Sequence, residues 1–401
     1  MKKQKIRFYA ALLCSSMVFS LVSTPVSAAE TGQLTNPPTS TEGPGSPESA
    51  SGNEAAAVLN GLYAALPVAN GVKEVATADE LTDALADSSI SIITLKDDVE
   101  ISSTLTVNRT VTLDLNGNVL KMTGSDSVIK VEADGDLTIQ DRNTTTQHTF
   151  NPHCKYQFWY IDMWELDKDG SEIVSGGVIT GGGGDQNNGG GVLVAGGTLT
   201  MAGGSIVGCS ARSRGGGVYL GKDSDTGKSG TFIMTSGSII GCAAQLGGGV
   251  YVTSGCTFVM ATSSNIHNCI ANNDGGGVIN HGTFQMRGGT ISTCTTVAFG
   301  GGGVCNNGTF IMSDGMIKGC TSPDGQYASG GGVRNSNQFT MTGGMIGDPD
   351  NENDASHVYN TSSQETTLTI SGNAKIYTDI TNVGILNADL SLIHISEPTR
   401  R

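Results

Sequence analysis

Gly247-Gly-Gly-Val250-Tyr-Val-Thr-Ser-Gly-Cys256-Thr-Phe258-Val-Met260-Ala-Thr-Ser-Ser-Asn-Ile266 is one copy of a unit written six times between Gly189 and Ile346. Each copy opens on glycines and a valine: Val192, Val218, Val250, Val278, Val304, Val333. It passes through a tetrad that ends in methionine (Met201, Met234, Met260, Met286, Met312, Met341) and closes on Ile206, Ile239, Ile266, Ile291, Ile317 or Ile346. The valines are spaced by 26, 32, 28, 26 and 29 residues. A nearly constant period with small insertions denotes a repeat architecture, in which one unit cannot bury its apolar face without its neighbours.

Side-chain direction identifies the repeat. Alternate residues of a strand point to opposite faces. In the tetrads the second position is Leu199 or Phe232, Phe258, Phe284, Phe310, Phe339, and the fourth is always methionine, whereas the third varies freely (Thr200, Ile233, Val259, Gln285, Ile311, Thr340). One face is therefore fixed and buried and the other drifts in solvent. The residue after each isoleucine drifts likewise: Val207, Ile240, His267, Ser292, Lys318, Gly347. Three short strands per unit, stacked as coils, bury these positions as continuous ladders. The predicted fold is all-β, a right-handed parallel β-helix. A propeller blade needs about 40–50 residues and four strands, too many for this period. Asn280, Asn306, Asn335 and Asn360, each two residues after its valine, predict an amide ladder along successive coils.

The rest of the chain is organised around this solenoid. Residues 1–28 read as a signal peptide, with a basic start (Lys2, Lys3, Lys5, Arg7), an apolar run from Phe8 to Val22 and small residues ending at Ala28. Residues 29–71 read as a flexible linker rich in Pro, Ser, Thr and Gly. The β-helix domain is expected over 72–389. Thr77-Ala78-Asp79-Glu80 is a capping box, and Leu81, Ala84 and Leu85 form one apolar face, so a helix near 77–87 is expected to cover the open core of the first coil. Irregular coils follow from Ile90, interrupted by an aromatic excursion over 142–173, and the glycine-rich repeats occupy 176–385.

Charge bounds the partners. Removing the four basic residues of the leader from 22 leaves 18 against 37 acids, a net −19. That balance disfavours nucleic acid and anionic lipid, and no stretch after the leader is apolar enough to cross a bilayer. Cys209, Cys242, Cys269, Cys294 and Cys320 fall at one repeat position, three residues after their isoleucines. Stacked at about 4.8 Å with parallel Cβ vectors they suit packed thiols better than disulfides. No Cys-x-x-Cys pair marks a metal site, and no cofactor is expected.

The Gly-Gly-Gly-Val-Tyr, Thr-Phe-Ile-Met and Gly-Gly-Thr-Ile runs resemble the β-helical repeats of bacterial surface proteins. Those proteins are pectin-lyase-like and adhesin-like, and related to polymorphic outer-membrane-protein repeats. The opening, Thr77 to Leu81 through Leu113-Asp114-Leu115-Asn116-Gly117, resembles the usual start of such domains. The resemblance covers residues 72–385 and implies a secreted or cell-surface, non-catalytic module that meets an extracellular glycan or protein. It departs from the family at the cysteine column, where asparagine is common. The fold also hosts polysaccharide lyases and hydrolases, whose chemistry needs clustered carboxylates. Here Asp185, Asp274, Asp314 and Asp324 occupy different places in their repeats, as do Arg212, Arg287 and Arg334.

Candidate ligand contacts are therefore sought in the excursion, where Tyr156, Trp159, Tyr160 and Trp164 crowd together in a chain otherwise poor in aromatics. The bland alternative is a loop packing on the helix wall with its own apolar cluster. Asp162 and Glu165 are the acids an enzyme would use there; a structural spacer is the third reading. Leu390 to Arg400, within the segment 390–401, resembles translated sequencing-adapter sequence, which implies that the native continuation is missing together with any anchor.

Overall fold

A computed structural model describes residues 71–155, 162–184, 188–323, 330–351, 355–361 and 365–388. The segments read above as a leader and as an adapter-like tail, and nearly all of the one read as a linker, lie outside the described residues. The described chain is a parallel β-helix. One coil shows the plan. Val250–Val252 forms the valine face, Thr257–His267 carries the Phe–Met face and then the isoleucine face, and Ile270–Asp274 forms a short third side. Coil by coil these strands pair in parallel, giving among the described residues sheets of 17, ten and five strands. The register is the one the repeats require: Val250 beside Val278, Phe258 beside Phe284, Met260 beside Met286 and Ile266 beside Ile291.

Like stacks on like inside. The rings of Phe232, Phe258, Phe284, Phe310 and Phe339 form one pile with centroids 4.8, 4.8, 4.8 and 4.5 Å apart and planes within 11°. All five are fully buried. At the next corner Asn280 donates to the carboxamide oxygen of Asn306 (2.8 Å), Asn306 to Asn335, Asn335 to Asn360 and Asn360 to Asn382 (2.7 Å each). Each of these donors also reaches a main-chain carbonyl of the coil beyond, those of Thr309, Gln338, Thr367 and Ile385. A buried amide left unpaired costs about 1–3 kcal/mol, so the ladder holds only while every rung is present. Asn382 extends it one coil past the asparagines read from the repeats.

The triple glycines answer to the core beneath them. A Cβ on Gly249 would lie 2.9 Å from Ile266 Cγ2 and 3.4 Å from Cys269 Sγ, and Gly277 and Gly303 meet Ile291 with Cys294 and Ile317 with Cys320 in the same way. No larger residue fits between the valine face and this corner.

Two features differ from the sequence expectation. The solenoid begins before the helix: Val72–Val75 already pairs with Ile92–Leu95, so the first rung precedes Thr77. The helix, Ala78–Ala86, is capped by Thr77 and buries Leu81 and Ala84 in the end of the core. Arg109 fastens its other end, donating to the carbonyls of Ala84, Leu85 and Ile90 at 2.8, 2.9 and 2.7 Å; the first two are among the carbonyls a helix C-terminus leaves without partners. Secondly, the Phe–Met and isoleucine segments are not separate strands but one bent strand in five coils, such as Thr231–Ile240. In four of the five the bend falls on glycine. Gly237 has φ +91°, and a Cβ there would meet the Gly204 carbonyl at 2.5 Å and the tip of Met201 at 2.9 Å.

Replacing Phe284 by alanine removes one ring from the middle of the pile and is expected to cost about 3–5 kcal/mol in denaturant melts. Ile311→Ala, on the outward face of the same kind of strand, is expected to cost under about 0.5 kcal/mol. Equal effects would show the register to be wrong.

Candidate functional site

Three regions of the outer wall carry features beyond solenoid packing. The first is the excursion. Gln147–Lys155, Asp162–Leu166 and Glu172–Ser175 form a three-stranded antiparallel flap with the first of these in the middle. Phe150, Trp164 and Val174 on its inner side pack against Val119, Val178, Val207 and Ile240 of the wall. This corrects the reading of the residue after each isoleucine as freely drifting surface. Val207 and Ile240 are apolar because the flap covers them, and they are 0 and 5% exposed.

Trp164 is the flap's fastening. Its main-chain N–H donates to the Gly241 carbonyl (3.1 Å), and the Gly208 and Gly241 backbones beneath it have left-handed φ of +60° and +59°. A Cβ on Gly241 would lie 2.1 Å from the indole Cγ. In the next two coils the same left-handed position is held by Asn268 and Thr293. Of the four aromatics named as candidate contacts, Trp164 thus lies in a packed cluster, in ring contact with Phe150 and edge-on to His267 at 6.3 Å. Tyr156, Trp159 and Tyr160 lie outside the described residues. Asp162 stands 3.8 Å from the His153 ring nitrogen, and Glu165 is exposed.

The second region is a groove of about 890 Å³ running along the line of strand bends. Thr262, Gly289, Asp314, Gly344, Asn373 and Lys375 line it, one or two residues from each of five successive coils. Its floor is bare because paired glycines, Gly288-Gly289 and Gly343-Gly344, turn the strands there. Hydroxyl, amide and charged groups of both signs stand on its edges. Glycine recurs at this position in most copies, as Gly204, Gly237, Gly289, Gly315 and Gly344, and that recurrence is the available sequence signal.

The third region is on the valine face, where the outward residues stack. Tyr219 and Tyr251 are 5.5 Å apart and 21° from parallel, with the Arg214 guanidinium 5.5 Å above Tyr251. Burial pushes both tyrosine hydroxyls up from their ordinary range. Asp274 and Arg334, which look scattered in sequence, are ion-paired at 3.1 Å beside the buried Cys305. Among the described residues no three His, Cys, Asp or Glu side chains converge as metal ligands, and no helix is long and apolar enough to cross a membrane.

Residues 72–182 match the family model "Putative pectate lyase-like adhesive domain". That segment contains the first rung, the cap helix, the early coils and the flap. No curated protein and no solved structure matches the chain. The chain is thus a parallel β-helix protein whose early coils are similar to an adhesive domain.

Gly241→Ala forces a methyl group into the Trp164 indole and is expected to lift the flap. In a Trp159→Phe background, Trp164 emission should shift to the red and the 147–175 segment should become sensitive to protease. Unchanged emission would show that the indole does not depend on this glycine. Below the indole, burial holds the His267 imidazole below its ordinary value. The unfolded chain therefore binds this proton more readily than the folded one. The stability gained from a neutral His267 is complete above the ordinary pKa of about 6.5 and is lost as pH falls below it. Thermal stability should accordingly fall between pH 7 and pH 5, with a smaller fall in His267→Gln.

Proposed function

We propose that the protein is a secreted or cell-surface, non-catalytic module that binds an extracellular glycan or protein along the groove of the strand bends. The observation that carries this reading is the groove's form. It runs parallel to the stack of coils and repeats its backbone floor at the strand spacing of about 4.8 Å. Polar edge groups recur on either side, among them Thr262, Asn373 and Lys375. An extended chain laid lengthwise meets the same surroundings at each coil, so contacts of modest strength accumulate along it. The match of the early coils to an adhesive domain supports the reading, as does the leader expected over residues 1–28. The candidate aromatics Tyr156, Trp159 and Tyr160 belong to the same proposal as further ligand contacts, with Trp164 holding the flap in place.

Glycan and extracellular-protein arrays probed with the native chain and with Ser313→Trp test the proposal. Ser313 is an exposed residue of the groove lining, and an indole there fills the channel. Binding that falls at least tenfold in the variant, about 1.4 kcal/mol, is the expected result. Binding indifferent to Ser313→Trp would remove the groove from the reading. Turnover of an acidic polysaccharide that Asp162→Ala abolishes would replace the adhesin with a lyase or hydrolase. Neither binding nor turnover would leave a spacer.

A further inference from the structure

The least explained part of the interior is its single file of thiols. Cys209, Cys242, Cys269, Cys294 and Cys320 are buried to within 1%. The turn they occupy is locked in register, because the residue after each thiol donates its N–H to the cysteine carbonyl of the coil before: Ala243 to Cys209, Ile270 to Cys242, Thr295 to Cys269 and Thr321 to Cys294. Neighbouring thiols interact electrostatically along the file, Cys242 with both Cys209 and Cys269, and Cys294 with both Cys269 and Cys320. Each Sγ has two carbonyls within range, one on its own coil and one on the coil before. Cys269 has those of His267 at 3.5 Å and Ile239 at 3.6 Å, and Cys294 those of Ser292 at 3.3 Å and Ile266 at 3.7 Å. These are long, weak hydrogen bonds that cost little to give up. If the file served only to fill space, any small apolar side chain would do as well.

We infer that the thiol file is a binding site for a soft monovalent cation of the Cu(I) or Ag(I) type, held in linear two-coordination between the sulfurs of successive coils. Spacing decides it. Two metal–sulfur bonds of about 2.3 Å, the length known for zinc thiolates, laid end to end span about 4.6 Å. The coils repeat at about 4.7–4.9 Å. A sulfur–metal–sulfur unit therefore bridges one coil to the next with little movement of the backbone. Ligand type agrees, since thiolates select soft cations.

Charge agrees too. Each cation that enters displaces one thiol proton, which leaves to solvent, so the net charge of the file does not change and the apolar core gains no unpaired ion. Zinc is poorly served by the same file. It takes four ligands in a tetrahedron, and a single row offers two neighbours at any point.

The test uses the full chain with Cys14 and Cys154 changed to serine, kept anaerobic and free of other reductants. Cu(I) is supplied from a competing chelator, both to the folded protein and during refolding. Uptake into the gaps between successive thiols is expected, with one proton released per ion and an X-ray absorption signature of two sulfurs in line. Position in the file provides the sharper readout. Cys269→Ser, in the middle, breaks two gaps and should lower the capacity by two ions. Cys320→Ser, at the end, breaks one and should lower it by one. Cys256→Ser and Cys305→Ser lie off the file and should leave capacity unchanged. Should Cys269→Ser fail to fold, Cys242→Ser, also interior, supplies the same two-ion loss. Capacity indifferent to position, zinc taken up as well as Cu(I), or no uptake by either route would overturn the assignment.

Discussion

Everything in this molecule depends on one constraint: each coil must lie on the next in register, at the separation that main-chain hydrogen bonds impose. A coil taken alone has strands of three to eleven residues and no second layer to cover them. Stacking supplies both. It closes the backbone hydrogen bonds between coils, and it places each inward side chain on a copy of itself. A flat ring, a thioether, an amide and a thiol all tolerate self-stacking, and these are the groups the repeats keep. Burial and hydrogen bonding thus arise from a single geometric condition, so a fault in one coil is felt by both its neighbours.

That condition is why so much of the fold is legible in the sequence. Phe258 and Phe284 need no tertiary information to be matched, because their partner is the same letter one period away. The same holds for Asn280 with Asn306. The features that escaped are those whose partner is not a copy. Arg109 serves a helix end more than twenty residues earlier, and nothing in its own repeat distinguishes it. Asp274 and Arg334 sit at different places in their coils and meet across the wall. Val207 and Ile240 lie on the outward face, where a period-two pattern predicts solvent; their covering comes from strands that are not part of the solenoid.

The candidate site was legible to a smaller degree. The crowding of aromatics over 142–173 marked a separate element, and the structure makes it a flap. Trp164 is turned inward, onto glycines whose missing side chains make its seat. The groove was hidden for the opposite reason. It is built from what is absent, the side chains of Gly289 and Gly344, and a string of glycines gives no indication of what stands on either side. The two regions divide the isoleucine face between them: the early coils are roofed, and the later ones open outward beside a channel. The flap falls within the matched adhesive segment, whereas Val207 and Ile240 beneath it and the whole groove lie beyond it.

The amide ladder bears on how such a molecule behaves under tension. Its hydrogen bonds, like those of the backbone between coils, point along the stacking direction. A pull in that direction therefore loads them in series, one interface after another, with no interface shielded by the rest. Detaching a terminal coil exposes the amides of the next, which then stand at the end in their turn. Each detachment frees a repeat of 26 to 32 residues, or roughly 90–110 Å of slack at full extension. Such a solenoid yields to force stepwise, lengthening by a fixed increment while the remaining coils keep their structure. That is the response of a tether that dissipates a tug without letting go.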